Sequence, residues 1–242
     1  MTAAITAGDR PDTGIERLSY RDARSGYLIV VTTPSAEAEL WQRYLAGAWR
    51  SYRAHDVESV LDLDQVRDGR STSLFFVALT SGGDMVGGMR AQGPYTTADQ
   101  AHAVVEWECD PGQPVVRAMI NERLSFGVVE TKTAWVADGA GRRRGLVECL
   151  SRAPLHAAMV LGARFALGTS AAHTLALWTA TGAVVAPGLA PVCYPDERYR
   201  TSLLWWDRWA LPATVAESEK VAIDTEAAQL LDPVSPALVH GR

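Results

Sequence analysis

The stretch VADGAGRRRGLVECL, residues 136–150, decides the fold that the sequence predicts. A β-rich segment, FGVVETKTAWVAD, ends inside this stretch, and a segment of good helix formers, GLVECLSRAPLHAAMVLGA, begins at Gly145. A strand is therefore predicted to lead through a Gly-Ala-Gly turn and three arginines into a helix, which is kinked or restarted at Pro154. Such a loop places unpaired backbone amides and the positive end of a helix dipole at one point, which favours a bound anion.

The residue types of the loop narrow the kind of anion. Glycines let the backbone approach a phosphate closely, and arginines add forked, charge-assisted hydrogen bonds, so a phosphate or pyrophosphate is predicted. Two common motifs are excluded, because no Gly-Lys-Ser/Thr follows the glycines and Arg144 stands where a dinucleotide fingerprint needs a glycine. A solvated arginine turn that only begins a helix is the alternative, and the short motif leaves it open.

Composition excludes several other classes of function. The chain has 242 residues, 28 of them acidic and 23 basic, with a formal net charge of −5, which argues against nucleic acid or an anionic membrane surface as the partner. Three widely spaced cysteines without a Cys-x-x-Cys pair indicate neither a disulfide framework nor a zinc site. No apolar run approaches the ~18 residues of a membrane span. A cytoplasmic protein is expected.

Predicted strands and helices alternate around the loop. GYLIVVTT (residues 26–33) is typical of a strand, SAEAELWQRYLAGAWRSYRAH has helical spacing behind a serine cap, and SLFFVALTSGGDMVGGMRAQG predicts a hairpin. AHAVVEWECD fits a strand or a short helix. We predict one α/β domain over residues 26–211, with a mixed central sheet flanked by helices. Residues 1–25 are predicted to be a polar N-terminal extension, and residues 212–242 a peripheral C-terminal tail.

The arginine loop resembles the acyl-CoA-binding motif of the GNAT (N-acetyltransferase) superfamily, Arg/Gln-x-x-Gly-x-Gly/Ala between a strand and a helix. Here the motif is RRRGLV, residues 142–147, in which Val147 departs from the small residue expected. TLALWTATGA similarly resembles a later helix of the family, Tyr-x-x-x-Gly-Phe, with Trp178, Gly182 and Ala183 in the corresponding places. The resemblance implies a GNAT-like acyl-CoA N-acyltransferase fold, acyl-CoA or acetyl-CoA as the acyl donor, and no metal.

The resemblance also implies where the donor binds. In this superfamily the loop amides bind the cofactor pyrophosphate, and the preceding strand pairs with the pantetheine arm. The implied cofactor-binding residues are Val136, Ala137, Gly141, Arg142, Arg143, Arg144 and Gly145. The amide of Val136 or Ala137 is the implied donor to the oxyanion.

Three further segments resemble a narrower branch, the acyl-homoserine-lactone synthases and N-acyl amino acid synthases: DMVGGMRAQGPY, ETKTAWV and WRSYRAHDVESVLDLDQVRDG. Arg90 and Glu130 match an arginine and a glutamate of that branch, whereas Thr133 stands where the branch has a second arginine. This substitution argues against a homoserine-lactone product. Arg90 is a candidate for binding an acceptor carboxylate through a bidentate pair, and a surface ion pair is the alternative.

Acyl transfer from a thioester to an amine needs a base for the nucleophile and, in many enzymes, an acid for the leaving sulfur. Glu130 is the predicted base, with an edge-strand glutamate facing solvent as the alternative. Glu106 and Glu108 share a face only if their segment is a strand. Trp178 replaces a tyrosine that protonates the thiolate in many GNAT enzymes, so either another group protonates the sulfur or none is needed. Tyr194 and Tyr199 are the candidate substitutes, with a packing role in their turn as the alternative.

The remaining aromatic and imidazole side chains support fewer predictions. Trp135 and Trp178 are predicted to line an acyl or aromatic pocket, with core packing as the alternative. His102, His156 and His173 lack metal-ligand spacing and a nearby serine or cysteine nucleophile. No catalytic role is predicted for them.

The sequence thus predicts an N-acyltransferase that moves an acyl group from an acyl thioester, with acyl-CoA as the expected donor, to a small-molecule amine or amino acid. One alternative is an enzyme of the N-acyl amino acid synthase type, which takes a longer acyl chain from CoA or from acyl carrier protein. The other is a non-catalytic acyl-CoA-binding or regulatory module.

Replacing Arg142 and Arg143 with alanine is expected to weaken acyl-CoA binding, while the backbone amides of the loop keep part of the affinity. Calorimetry over a series of salt concentrations measures this, because the arginine contribution falls as salt rises. An affinity that the two substitutions leave unchanged at every salt concentration would remove these arginines from the phosphate site.

Overall fold

The computed structural model describes residue 15, residues 17–137, residue 139 and residues 144–232, without the side chain of residue 144. The strands are Arg17–Arg21 (β1), Leu28–Thr32 (β2), Leu74–Leu79 (β3), Met85–Gln92 (β4), Val128–Val136 (β5), Phe165–Ala171 (β6), Val184–Val185 (β7), Val192–Cys193 (β8) and Arg200–Asp207 (β9). The α-helices are Ala38–Ala54 (α1), Leu63–Val66 (α2), His102–Glu106 (α3), Gln113–Asn121 (α4), Arg144–Val160 (α5), Leu175–Ala180 (α6) and Glu217–Leu231 (α7). Within these ranges no helix combines the length and the apolar character needed to cross a bilayer.

The strands form one mixed sheet in the order β1-β2-β3-β4-β5-β6-β9-β7, and β8 also pairs with β9. Neighbouring strands from β1 to β5 are antiparallel, β5 and β6 are parallel, and β9 is antiparallel to β6, β7 and β8. The prediction of a mixed α/β sheet flanked by helices is confirmed. The hairpin predicted from the Gly-Gly-Asp turn is β3–β4.

Helices cover both faces of the sheet. Helix α1 packs Tyr44 and Leu45 with Trp135 on one face, and α5 packs Leu146 and Leu150 on the other. Alternate side chains of β3 enter these two different core clusters. Because both faces of β3 are buried, its sequence LFFVAL is apolar throughout instead of alternating.

A third core cluster lies beside the parallel pair. Trp107 and Val116, from the segment of α3 and α4, pack with Leu167 of β6 and Trp205 of β9. This cluster holds α3 next to the residues that pair β5 with β6. It therefore determines where the side chains of α3 lie relative to those two strands.

In two segments the structure decides between alternatives that the sequence left open. The segment AHAVVEWECD forms the short helix α3, so Glu106 and Glu108 do not share a strand face. The first-turn amides of α3 are bound by a carboxylate from the distant strand β5, a cap that no local pattern contains. Helix α5 continues through Pro154 as one helix, Arg144–Val160, instead of restarting there.

Structured elements extend beyond residues 26–211 at both ends. Strand β1 pairs with β2 along its whole length. Helix α7 buries Ile223, Glu226 and Leu230 and contacts both α5 and β1. The sheet and its helical cover thus include residues on both sides of the predicted limits.

A fully buried arginine joins these terminal elements to the core. Arg152 of α5 donates from Nε to Glu226 Oε2 at 2.9 Å and from Nη2 to Glu226 Oε1 at 2.6 Å. It also donates to Asp22 Oδ1 at 2.7 Å and to Glu219 Oε2 at 3.1 Å. His156 Nε2 lies 2.8 Å from Glu226 Oε2. A guanidinium with this many acceptors fixes α7 on α5 and beside the β1–β2 turn.

Arg152→Met is expected to destabilise the protein by about 3–5 kcal/mol, because it leaves buried carboxylates without their cation. Arg70→Met is the matched control, since Arg70 pairs with Asp68 on the exposed surface and such pairs contribute about 0–1 kcal/mol. Urea unfolding of both variants measures the difference. Equal, small losses for both would show that the Arg152 cluster does not hold α7 in place.

Candidate active site

The parallel strands β5 and β6 pair over only three residues and then separate. The pairs are Val128 with Phe165, Val129 with Ala166, and Glu130 with Leu167. No pairing joins residues 131–136 of β5 to residues 168–171 of β6, all of which the structure describes. The facing edges of the two strands are therefore open beyond Glu130.

A cleft of about 290 Å³ lies at this separation. Residues 131–134 of β5 and 168–171 of β6 line it, together with Trp178 of α6 and the aromatic side chains of Tyr194 and Tyr199. Its wall combines hydroxyl groups with apolar side chains. A more open depression of about 450 Å³ near Trp49 lies on the acidic surface that follows α1, and it lacks the strand edges and the enclosed ionisable groups of the cleft.

The β5 wall of the cleft contains a β-bulge. Gly88 pairs with Trp135 and Arg90 with Lys132, so two residues of β5 face the one residue between them on β4. Thr133, inside the bulge, has a φ of 55°, an uncommon value for a β-branched residue. The Tyr44 hydroxyl holds the bulge by donating to the Thr133 carbonyl at 2.7 Å. The bulge changes the direction of the backbone groups that line the cleft.

Glu106 is the centre of a buried polar cluster in the cleft wall. Its Oε1 accepts a hydrogen bond from Thr169 Oγ1 at 3.0 Å and lies 3.5 Å from Lys132 Nζ. His102 Nε2 is 3.7 Å from the same oxygen. The other oxygen, Oε2, is buried and has no hydrogen-bond partner among the described residues.

Burial shifts the pKa of each ionisable group in this cluster. It raises the pKa of Glu106 to about 6, although the nearby Lys132 ammonium acts in the opposite direction. Burial also lowers the pKa of Lys132, and it lowers the pKa of His102 to about 4 with help from the Lys132 charge. At neutral pH Glu106 is therefore ionised and His102 is uncharged.

Glu130, the predicted base, is enclosed below the cleft. Its Oε2 accepts from the Tyr95 hydroxyl at 2.7 Å and from the His102 amide at 2.8 Å, and its Oε1 accepts from the Ala103 amide at 2.9 Å. The carboxylate is 1% exposed and caps the first turn of α3. Both of its oxygens are thus already bonded, and Glu130 does not line the cleft.

Tyr194, the predicted acid, lines the cleft beside this cluster. Its hydroxyl is 2.9 Å from His102 Nε2. Burial, reinforced by the negative charge of Glu106, raises the pKa of Tyr194 well above its usual value. Tyr194 therefore keeps its proton at neutral pH and is available as a hydrogen-bond donor.

Of the predicted substrate-binding residues, the structure places one in the cleft. Trp178 lines the cleft and contacts Trp206 edge to face, with ring centroids 5.8 Å apart. Trp135 instead packs against Gly47 of α1 in the core. Arg90 is buried, and donates to Thr133 Oγ1 at 3.2 Å and to Thr72 Oγ1 at 3.4 Å. It lies behind the bulge, outside the cleft lining.

The predicted cofactor residues lie at the end of β5 and the start of α5. Val136 pairs with Gly87, and the Ala137 amide donates to the Val86 carbonyl at 2.8 Å, so this amide is bonded towards β4. Gly145 lies in the first turn of α5, where an added Cβ would be 2.9 Å from the Ser25 side chain. Arg144 begins α5, and Gly141, Arg142 and Arg143 lie outside the described residues.

Most of the polar cluster is not predicted by sequence motifs. The spacing of Glu106 relates it only to Glu108, His102 lacks a catalytic or metal-binding pattern, and Lys132 and Thr169 belong to no motif. The available signal was the occurrence of charged side chains inside apolar segments, at Glu106 in VVEWEC and at Lys132 in VVETKTAWV. That signal does not identify the side chains with which each charged group pairs.

One group of potential metal ligands occurs among the described residues, and the guanidinium of Arg152 pairs with its carboxylates. Asp22, Cys149 and Glu226 place ligand atoms within 4.8 Å of one another. Arg152 pairs with both carboxylates, and burial raises the pKa of the Cys149 thiol, which stays protonated. These residues are explained by the ion cluster that holds α7.

Glu130→Gln is expected to lower the free energy of unfolding by about 2 kcal/mol, because an amide replaces a charged acceptor of two backbone donors and one hydroxyl. Glu108→Gln, at an exposed position of the same segment, is the control and is expected to have little effect. Chemical unfolding of both variants measures the difference. A Glu130→Gln variant as stable as Glu108→Gln would contradict the capping role.

Solved structures of a CoA-dependent acyl-homoserine lactone synthase, BjaI, are similar to this fold. BjaI with MTA matches with a TM-score of 0.55 and 15% identity, covering 82% of this chain and 89% of that chain. BjaI with SAM and isopentyl-CoA matches with a TM-score of 0.50 and 14% identity, covering 87% of this chain and 89% of that chain. The GNAT-like fold expected from the arginine loop is therefore confirmed.

Sequence relatives occur in mycobacteria. Uncharacterized protein Rv1356c of Mycobacterium tuberculosis is 46% identical over 221 residues, a match that covers 88% of this chain and 84% of the relative. Uncharacterized protein Mb1391c of Mycobacterium bovis matches with the same identity and coverage. No family model matches the chain. The chain belongs to the same family as Rv1356c and Mb1391c.

Proposed function

We propose that this protein is an N-acyltransferase that moves an acyl group from an acyl thioester, with acyl-CoA as the donor, to a small-molecule amine. The observation that carries the proposal is the cleft at the separation of β5 and β6, which brings open strand edges and a buried carboxylate to one place. Open edges supply backbone groups for a linear ligand, and the carboxylate supplies a base.

The donor site would run from the loop to the cleft. An acyl-pantetheine arm carries amide groups, which can pair with the open edge of β5 beyond Glu130. The helix that follows this strand begins at Arg144, so its N-terminus and the arginines of residues 142–144 would meet the pyrophosphate. A solved structure of BjaI, which has a similar fold, contains isopentyl-CoA, and this supports CoA as the carrier.

The acyl group would then lie in the inner part of the cleft. Met89, Trp178 and Trp206 give that part apolar walls, while Thr169 and Ser170 give a polar side on β6. An amine entering along the polar side would meet the thioester carbonyl between the two strands. Tyr194 would donate its hydrogen bond towards the leaving sulfur, which replaces the tyrosine absent at Trp178.

Two finer proposals rest on the same cleft. The apolar side chains Val57 and Val60 continue its lining, which favours a donor with a longer acyl chain and an amino acid acceptor over simple acetyl transfer. Acyl carrier protein is then the second proposed carrier, because the three consecutive arginines of residues 142–144 would attract an acidic surface. The non-catalytic alternative, an acyl-CoA-binding module, requires binding without transfer.

Calorimetry with free CoA, acetyl-CoA, octanoyl-CoA and palmitoyl-CoA tests the donor, and thiol release in the presence of primary amines tests transfer. We expect binding that strengthens with chain length and amine-dependent thiol release. Binding without release would leave the acyl-CoA-binding module. Absence of binding to every CoA compound would exclude CoA as the carrier.

Gly168→Leu is expected to lower acyl-CoA affinity about tenfold or more, which corresponds to about 1.4 kcal/mol. Gly168 lies at the point where the strands separate, and its added Cβ would already lie 3.2 Å from Thr131 Oγ1 and 3.3 Å from the Trp206 ring. Gly168→Ala is the matched control, because it adds only the Cβ. Equal acyl-CoA affinity in a folded Gly168→Leu protein would place the donor outside this cleft.

A further inference from the structure

One carboxylate oxygen in the cleft wall has no explanation in the folding of the chain. Glu106 is 7% exposed, and Thr169 and Lys132 both bond to its Oε1. Its Oε2 is buried without a hydrogen-bond partner among the described residues, in a residue that lines the cleft. A buried polar atom without a partner is costly and rare in native proteins. Such an atom in a cleft wall is typical of one that a ligand completes.

We propose that Glu106 Oε2 receives the N–H group of the acceptor amine and that Glu106 is the general base of the acyl transfer. This inference rests on the proposed N-acyltransferase function and identifies the acceptor end of its site. Lys132 and Thr169 are positioning residues, because they bond to the other oxygen and leave Oε2 without a partner among the described residues, in a residue that lines the cleft.

The second buried glutamate does not fit this role. Glu130 has both oxygens engaged, by two backbone amides and the Tyr95 hydroxyl. To accept a proton it would have to give up the cap of α3, and α3 carries Glu106. Glu130 therefore acts through the position of α3, whereas Glu106 contacts the acceptor.

The charges around Glu106 leave it ionised at neutral pH. The titratable groups that face it are Lys132 and Glu130 on β5, His102 on α3, Tyr194 before β9, and Tyr52 on α1. Burial and Glu130 raise the pKa of Glu106, Lys132 lowers it, and the result is a pKa of about 6. Above this pH the carboxylate accepts a proton, and below it the carboxyl group is already protonated. Transfer is therefore expected to fall as pH falls through about 6.

Glu106 and Tyr194 carry the two proton transfers of the acyl transfer. The acceptor enters as a free amine, and its nitrogen attacks the thioester carbonyl carbon. Glu106 takes one proton from that nitrogen as the C–N bond forms. The C–S bond breaks, the electron pair leaves with sulfur, and the thiolate receives a proton from Tyr194. Glu106 then releases its proton to water, and Tyr194 regains a proton from water.

The test compares Glu106→Gln with Glu130→Gln in the full chain, with octanoyl-CoA as donor and ethanolamine, putrescine and glycine as acceptors. Glu106→Gln is expected to lower kcat/KM for the amine about 10²–10⁴-fold, to remove the enzyme's acid limb from the pH profile, and to leave octanoyl-CoA affinity unchanged. Glu130→Gln is expected to lose stability and to keep the acid limb.

Lys132→Met supplies a readout that a merely structural role would not change. Removing the ammonium raises the pKa of Glu106, so the acid limb is expected to move to higher pH than in the unsubstituted protein. The titration of the amine is the same for both proteins, and the displacement therefore reports Glu106. An unchanged limb in Lys132→Met, or a Glu106→Gln protein with full activity, overturns the proposal.

Calorimetry of amine binding separates this inference from the proposed function. Wild-type protein saturated with free CoA is titrated with the same amines, in parallel with Glu106→Gln. Loss of amine binding in Glu106→Gln supports the acceptor site even if no thioester is cleaved, a result that would count against transfer alone. Equal amine binding by both proteins overturns the inference and leaves the donor proposal standing.

Discussion

The short parallel ladder between β5 and β6 is the constraint on which the site depends. Three residue pairs join the two strands, and their separation beyond Glu130 opens the cleft. Each strand can leave the other because it is held along its opposite edge. β6 pairs with β9 from Phe165 to Ala171, and β5 pairs with β4 on both sides of the bulge. Beyond Glu130, the two edges that face the cleft therefore have no strand partner in the described part of the chain.

The same arrangement brings buried charges together inside the protein. Glu106 and Lys132 lie 3.5 Å apart with little exposure, and replacing such a pair by well-packed apolar residues is often neutral or stabilising. Arg152 and Glu226 also form a buried pair, yet their donors and acceptors are matched and they fix α7. The cluster at Glu106 leaves one oxygen unmatched instead. This difference separates a cluster that serves folding from one that is suited to a ligand.

Much of the fold follows from local sequence patterns. The β3–β4 hairpin, the strand before the arginine loop and the helix after it were predicted from a turn signal, apolar periodicity and helix propensity. The structured elements outside residues 26–211 were not, because β1 and α7 are weakly patterned. Their place is fixed by Arg152, whose partners at Asp22 and Glu226 lie 130 and 74 residues away along the chain. Local propensity contains no information about such pairs.

Local sequence patterns also do not predict which side chains meet in the candidate site. The sequence resemblance favoured Glu130, and its carboxylate does lie beside the site, at the first turn of α3. At the other end of that helix, Glu106 lines the cleft. The cap fixes the amides of His102 and Ala103, and His102 in turn lies between Glu106 and Tyr194. If AHAVVEWECD were a strand, this relation would not exist. In the helix, the carboxylate of Glu130 binds the first amides, and Glu106 is the last residue. The two glutamates are thus parts of one arrangement, in which Glu130 supports the helix that presents Glu106.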